Sequence, residues 1–194
     1  MSLIDNITSY VSQLKLSPEK KVLFDSFLKK GFPTIDDEEW KYTPLKKIIN
    51  SSYTLNNAPK KIDERLIKKH SLDLGHKIVF SNGEIIHSPT IKGVSISGFT
   101  QFSCINNDAI TELNSALANR GFSLIVDKDT VIKSPIEILF FNSTENSFSQ
   151  YRNKILVEEN SEIKIVEKII DLSNSNTLVN CFTQINCRKN SQVE

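Results

Sequence analysis

The chain has 194 residues, 39% hydrophobic and 24% charged, with a formal net charge of +1. That length suits one large domain or two small ones with a real core. The charge is not the marked basic excess of a nucleic-acid binder, and no apolar run approaches the roughly 18 residues of a membrane span. Residues 1–6 have no basic region and carry Asp5 early, so they do not read as a signal peptide. The three cysteines have no framework spacing and suggest no disulfide scaffold. The expected location is the cytosol.

Residues 2–15 place Ile4, Ile7, Val11 and Leu14 at spacings of three and four, one face of a short helix. Ser17 and Pro18 read as the cap and first residue of a second helix, with Val22, Leu23, Phe27 and Leu28 as its apolar stripe. Lys29 and Lys30 fall in its last turn, and Gly31 stands where a glycine stop belongs. Residues 31–45 form an ordered non-helical segment fenced by Pro33 and Pro44. Its Trp40 is expected to be buried as an anchor on the core. Glu38 and Glu39 are adjacent carboxylates without ligand geometry, and a solvated turn is the expected role.

Residues 46–75 are mixed, with a helix over 62–70. Residues 77–86 read as a hairpin around Ser81-Asn82-Gly83, since Asn-Gly suits a type I′ turn. Residues 94–99 are a short strand. Asp108 caps a helix carrying Ile110, Leu113 and Leu117, with Gly121 past its end. A soft boundary near 118–122 divides an N-terminal mixed, largely helical domain (1–120) from the rest (121–194).

From residue 121 onward the chain repeats. Val126-Asp127-Lys128-Asp129-Thr130-Val131-Ile132, Val157-Glu158-Glu159-Asn160-Ser161-Glu162-Ile163 and Cys187-Arg188-Lys189-Asn190-Ser191-Gln192-Val193 align at offsets of 31 and 30 residues. Each is the apolar end of a strand, a charged or amide-rich turn, a small hydroxyl residue and an apolar return. Strands are expected over 123–126, 135–141, 153–157, 162–170 and 178–187, with no amphipathic helix between them. Strand–turn–strand units at a fixed period predict stacked rungs of a β-solenoid; a sandwich has no reason to repeat its sequence.

Within residues 31–45, Gly31-Phe32-Pro33-Thr34, an acidic gap and then Glu39-Trp40-Lys41-Tyr42-Thr43-Pro44-Leu45 resemble the N-terminal signature of the SufB/SufD family of the SUF iron–sulfur cluster assembly machinery, on its SufD-like side. The likeness continues, in order, through Ile78-Val79-Phe80-Ser81-Asn82-Gly83, then Leu113-Asn114-Ser115-Ala116-Leu117 with Arg120-Gly121-Phe122, then Arg152-Asn153-Lys154-Ile155-Leu156-Val157. It implies an α+β fold: a mostly helical N-terminal domain, then the first rungs of a parallel β-helix, here cut before its end. It also implies a non-enzymatic scaffold subunit working with SufB-like and SufC-like partners, the SufC ATPase rearranging two β-helices. By that resemblance this fragment binds no cofactor by itself, an iron–sulfur cluster being possible only in the full complex. Nothing in the chain matches the family's ATPase-docking or subunit-interface residues, so no site residue is carried over.

The residues themselves offer little chemistry. His70, His76 and His87 have no metal-ligand spacing and are expected in solvated loops. Cys181 and Cys187 lie on one side of one strand, roughly 20 Å apart, too far to share a cluster. Cys187 aligns with Val126 and Val157 and is expected to act as a small core residue. Cys104 has no assigned role. No phosphate-binding Gly-Lys-[Ser/Thr] loop and no Gly-x-Ser-x-Gly elbow occurs.

Residues 187–194 repeat the turn and stop without the next strand, so the chain is expected to be a piece of a longer protein. The uncapped rung should self-associate or lose order. Two rival readings remain: an interaction module with no cluster role, and a β-helix polysaccharide-processing enzyme, which would want clustered carboxylates on one face and an export signal.

Overall fold

In a computed structural model, residues 2–55, 58–99 and 108–194 are described. Cys104 lies outside them. The fold is α+β, with mixed sheets.

The first helix, α1 (Leu3–Ser12), starts at a reciprocal cap. The Ser2 hydroxyl accepts from the Asp5 N–H, and the Asp5 carboxylate accepts from the Ser2 N–H. It buries Leu3 and Ile7. Ile4 stays 36% exposed and Leu14 lies beyond the helix. The expected helix is present, but its buried stripe is turned by one residue.

The same shift recurs in α2 (Pro18–Lys30). Leu23, Phe24 and Phe27 are buried, whereas Val22 is 68% exposed. Helical period is legible in sequence; which side faces inward is set by what the helix packs on. The Ser17 cap, the first-turn Pro18 and the Gly31 stop (φ 71°) stand as expected. Both helices pack with α5 (Ala109–Leu117), Phe32, Tyr53 and Phe148 into one apolar cluster. Asp108 caps α5 through Thr111, and α5 ends at Ala118 rather than at Gly121.

Two short helices, α3 (Lys46–Ile49) and α4 (Glu64–His70), complete the helical part. The residues of α4 pack over Val79, Leu139, Phe141 and Ile170 on the outside of a sheet.

The hairpin of β1 (His76–Ser81) and β2 (Glu84–His87) turns at Asn82 and Gly83, both with positive φ (46° and 85°), as a type I′ turn demands. β3 is Val94–Gly98. Seven strands follow, and no helix interrupts them: β4 (Phe122–Val126), β5 (Ile136–Asn142), β6 (Phe148–Val157), β7 (Glu162–Ile163), β8 (Ile165–Asp171), β9 (Leu178–Cys187) and β10 (Gln192–Val193).

They form sheets ordered β2-β1-β5-β8 and β3-β4-β6-β9, with a small β7-β10 pair. The β1–β2 and β3–β4 pairs are antiparallel; the other pairings are parallel. Strands from before and after residue 120 thus share both large sheets. The sheets turn one face each toward a common core in which Phe80, Phe122, Phe140 and Tyr151 stack.

Repeated residues of the sequence pair directly. Val126 is the partner of Val157, and Val157 of Cys187. The turns behind them stack as well. Asp129, Asn160 and Asn190 adopt left-handed φ of 58°, 56° and 56°, which Asn and Asp tolerate best among non-glycine residues. The Asn190 amide donates to Asn160 (3.1 Å) and the Asn160 amide to Asp129 (2.7 Å), a side-chain ladder linking the three turns. The buried Ser161 hydroxyl accepts from the Thr130 N–H and donates to the Asp127 carbonyl.

Candidate functional site

Three strands, β8, β9 and β10, end their sheets, so each has an outer edge with no strand partner among the described residues. This end of the molecule exposes Ile169 at 52%, Ile185 at 50%, and the thiol-bearing Cys187. Cys187 was expected in the core and is exposed. It pairs with buried Val157, and among the described residues no strand pairs with β9 on its far side.

Beside β9 is an apolar recess of about 230 Å³ formed by Phe32, Trp40, Ile110, Phe148, Val179 and Cys181 among others. Trp40 is half-buried there, not fully buried as expected. Glu38, Glu39 and Trp40 form a single 3₁₀ turn, so the segment is not wholly non-helical. Both acids are exposed.

Inside the same end, β6, β8 and β9 bring four polar groups together. The amide nitrogen of fully buried Asn153 lies 3.2 Å from the Glu167 carboxylate, 3.3 Å from Cys181 Sγ and 3.1 Å from Thr183 Oγ1. Its own Oδ1 is buried without a partner. Burial pushes the Cys181 thiol up to about 11, and the nearby Glu167 carboxylate adds to the rise. Burial likewise lifts the Glu167 carboxyl, against the opposing pull of the Asn153 hydrogen bond. A thiol so raised is protonated at neutral pH, hence a weak nucleophile and an unready ligand. Cys187 is six positions away on the same unbroken strand, roughly 20 Å off, so the two thiols do not converge.

The histidines sit otherwise than expected: not in loops but at element ends. His70 closes α4 with its ring edge-on to Phe141, His76 opens β1 and His87 ends β2. Among the described residues no three His, Cys, Asp or Glu side chains group as a metal site. None of their helices is long and apolar enough to cross a membrane.

The segments that carried the family resemblance meet in space, the Trp40 segment through Phe32, which packs with Leu113 of α5 in one apolar cluster. Asn114 of α5, fully buried, donates to the Tyr151 carbonyl of β6 and the Asn180 carbonyl of β9, 3.0 Å each. Its oxygen accepts from Arg152, whose guanidinium also reaches Ser115 and lies 4.5 Å over the Phe182 ring. Arg120 donates to the Asn82 carbonyl of the hairpin turn and pairs with Glu84 at 2.6 Å.

Two glycines make this junction possible. A Cβ on Gly121 (φ 131°) would come within 2.1 Å of the Arg152 carbonyl oxygen, and one on Gly83 within 2.5 Å of the Tyr151 ring. Tyr151, whose hydroxyl donates to Asn142, is held up to about 12 by burial. Sequence reasoning read Gly121 as a helix stop and did not assign Asn114, Arg152 or Asn153 a role. The polar side chains at inward strand and helix positions were the available signal. The junction fastens the helical layer to the strands and presents no reactive group to solvent.

No protein-family model matches the chain. Among curated proteins it is similar to the iron-sulfur cluster assembly protein SufD of Escherichia coli (strain K12), with 23% identity over 195 aligned residues. The alignment covers 93% of this chain and 45% of that protein, so the chain spans about half the length of the curated relative it matches. Over 93% of its length the chain thus has a distant SufD-like relationship.

Proposed function

We propose that the chain is part of a SufD-like scaffold subunit for iron–sulfur cluster assembly in the cytoplasm, with no catalytic activity and no resident cofactor of its own. The single observation behind this reading is the similarity to SufD across 93% of the chain. The in-register pairing of Val126, Val157 and Cys187, with its ladder of left-handed turns, supports reading residues 121–194 as the first rungs of a parallel β-helix. The protonated Cys181 thiol and the wide separation of the cysteines favour a scaffold over a cluster-holding chain.

In this reading the partners are a SufB-like subunit and a SufC-like ATPase, and the chain alone self-associates through the free edge of β9. Affinity purification of the full-length protein from its native host is the test. The expected result is a complex containing an ATPase and a second subunit of the same family, with reduced iron–sulfur enzyme activity when the gene is deleted. A full-length protein that purifies without either subunit, from cells whose iron–sulfur enzymes are unaffected by the deletion, would end the proposal. For the self-association, sedimentation of the present chain is expected to show dimers that dissociate on dilution.

A further inference from the structure

On the side of the molecule away from the open strand edges, a groove of about 810 Å³ runs between α4 and the hairpin. Its apolar surface comes mainly from half-buried Ile67 and from Ile86, 41% exposed; Ile62 and Val79 also line it but are buried. Four lysines and two carboxylates line it, an excess of two positive charges.

Part of that charge is already engaged. Lys77 pairs with Asp73 at 2.5 Å, and that hydrogen bond holds the Asp73 carboxyl below its usual range. The Lys60 ammonium donates to the Ser143 carbonyl. Lys61 and Lys68, both exposed, form no ion pair among the described residues; the groove's carboxylates are Glu64 and Asp73, the latter paired with Lys77 and drawn only weakly to Lys68.

One wall of the groove is β2, the outermost strand of its sheet, with no strand partner on its far edge among the described residues. Ile85 packs on the core side of β2 while neighbouring Ile86 lines the groove. A strand laid along β2 would therefore put every second side chain on the groove side.

We propose that this groove binds an extended acidic segment of a partner protein, with apolar side chains on Ile67 and Ile86 and carboxylates at Lys61 and Lys68. Three features select that occupant: an apolar floor, a strand edge without a strand partner among the described residues that offers main-chain hydrogen bonds, and two exposed lysines outside any ion pair, in a lining with an excess of two positive charges. This surface is independent of the scaffold reading and of the open strand edges on the other side.

The test is fluorescence anisotropy of the purified chain with a labelled synthetic peptide of alternating leucine and glutamate. The control peptide has lysine for glutamate. The glutamate peptide is expected to bind, more weakly as salt is added, and the lysine peptide is not. The K61E/K68E variant should lose about tenfold in affinity, and Ile86→Ser should weaken binding at unchanged salt dependence.

Circular dichroism checks that each variant is folded. If the charge-reversed protein is not, K61Q/K68Q decides in its place, with a smaller loss expected. Equal binding of both peptides, unchanged affinity in the folded lysine variant, or adsorption to anionic vesicles with no peptide binding would each overturn the proposal.

Discussion

Strands β6 and β9 pair residue for residue over their whole length and carry the same kind of sequence, yet they live in different surroundings. Ile155 is 2% exposed and its partner Ile185 is 50% exposed; Val157 is sealed and its partner Cys187 is open. Both strands present these residues on the same side. The difference is that β6 lies between β4 and β9, whereas β9 has a neighbour on one side only. In these parallel strands, burial belongs to the neighbours on both sides of a residue and not to the residue's own strand.

The largest expected effect tests the attachment of β6 to the helical layer. Gly121→Val drives a Cβ into the Arg152 carbonyl at a φ that side chains rarely adopt, so it should cost about 3 kcal/mol or more. Urea unfolding that leaves the midpoint unmoved would show that β6 is not held there as described.

Next comes the direct contrast of the two strands. Ile155→Ala should destabilise by about 2–5 kcal/mol, while Ile185→Ala should stay within about 0.5 kcal/mol. Equal losses in thermal unfolding would mean that β9 is covered in solution, by a second copy for instance, and the contrast would have to be redrawn.

A smaller effect probes the turns. Asn160→Ala removes both amide contacts of the ladder and places an alanine at left-handed φ, a cost of about 1–2 kcal/mol. Asn190→Ala also places an alanine at left-handed φ but gives up one side-chain contact instead of two, and should cost less. The two midpoints, compared in one denaturant series, rank the closed turn against the open one.

The mildest test needs no mutation. With iodoacetamide near neutral pH, peptide mapping should find Cys187 alkylated well before Cys181. Burial stabilises the neutral Cys181 thiol, so its thiolate becomes abundant only as pH approaches about 11. Because the fold favours the neutral thiol, stability from this group is present at lower pH. It is lost once pH exceeds the ordinary thiol range and rises toward that value. Equal labelling of both cysteines at neutral pH would show the interior of this end to be open to solvent.

Much of this was legible in the chain. Ser17-Pro18 with Gly31, the Asn82-Gly83 turn and the thirty-residue turn repeat each correspond to a local backbone requirement, and each stands where expected. Cys187, Trp40 and the stripes of α1 and α2 were misjudged for one shared reason. Each was assigned an environment from its own segment, and environment comes from other segments. The Asn114–Arg152 junction was illegible because its members are 38 positions apart, and no periodicity connects a helix residue to a strand residue at that distance.

Sequence alone determined the elements, their caps and turns, and the spacing at which the strands recur. Those follow from φ preferences and side-chain period, which act over a few residues. Only the tertiary structure decided which helix faces are buried, which strand is covered on both sides, and how two glycines and a buried arginine fasten the helices to the strands. Burial and close backbone approach are properties of neighbours in space, and the chain's order does not record them.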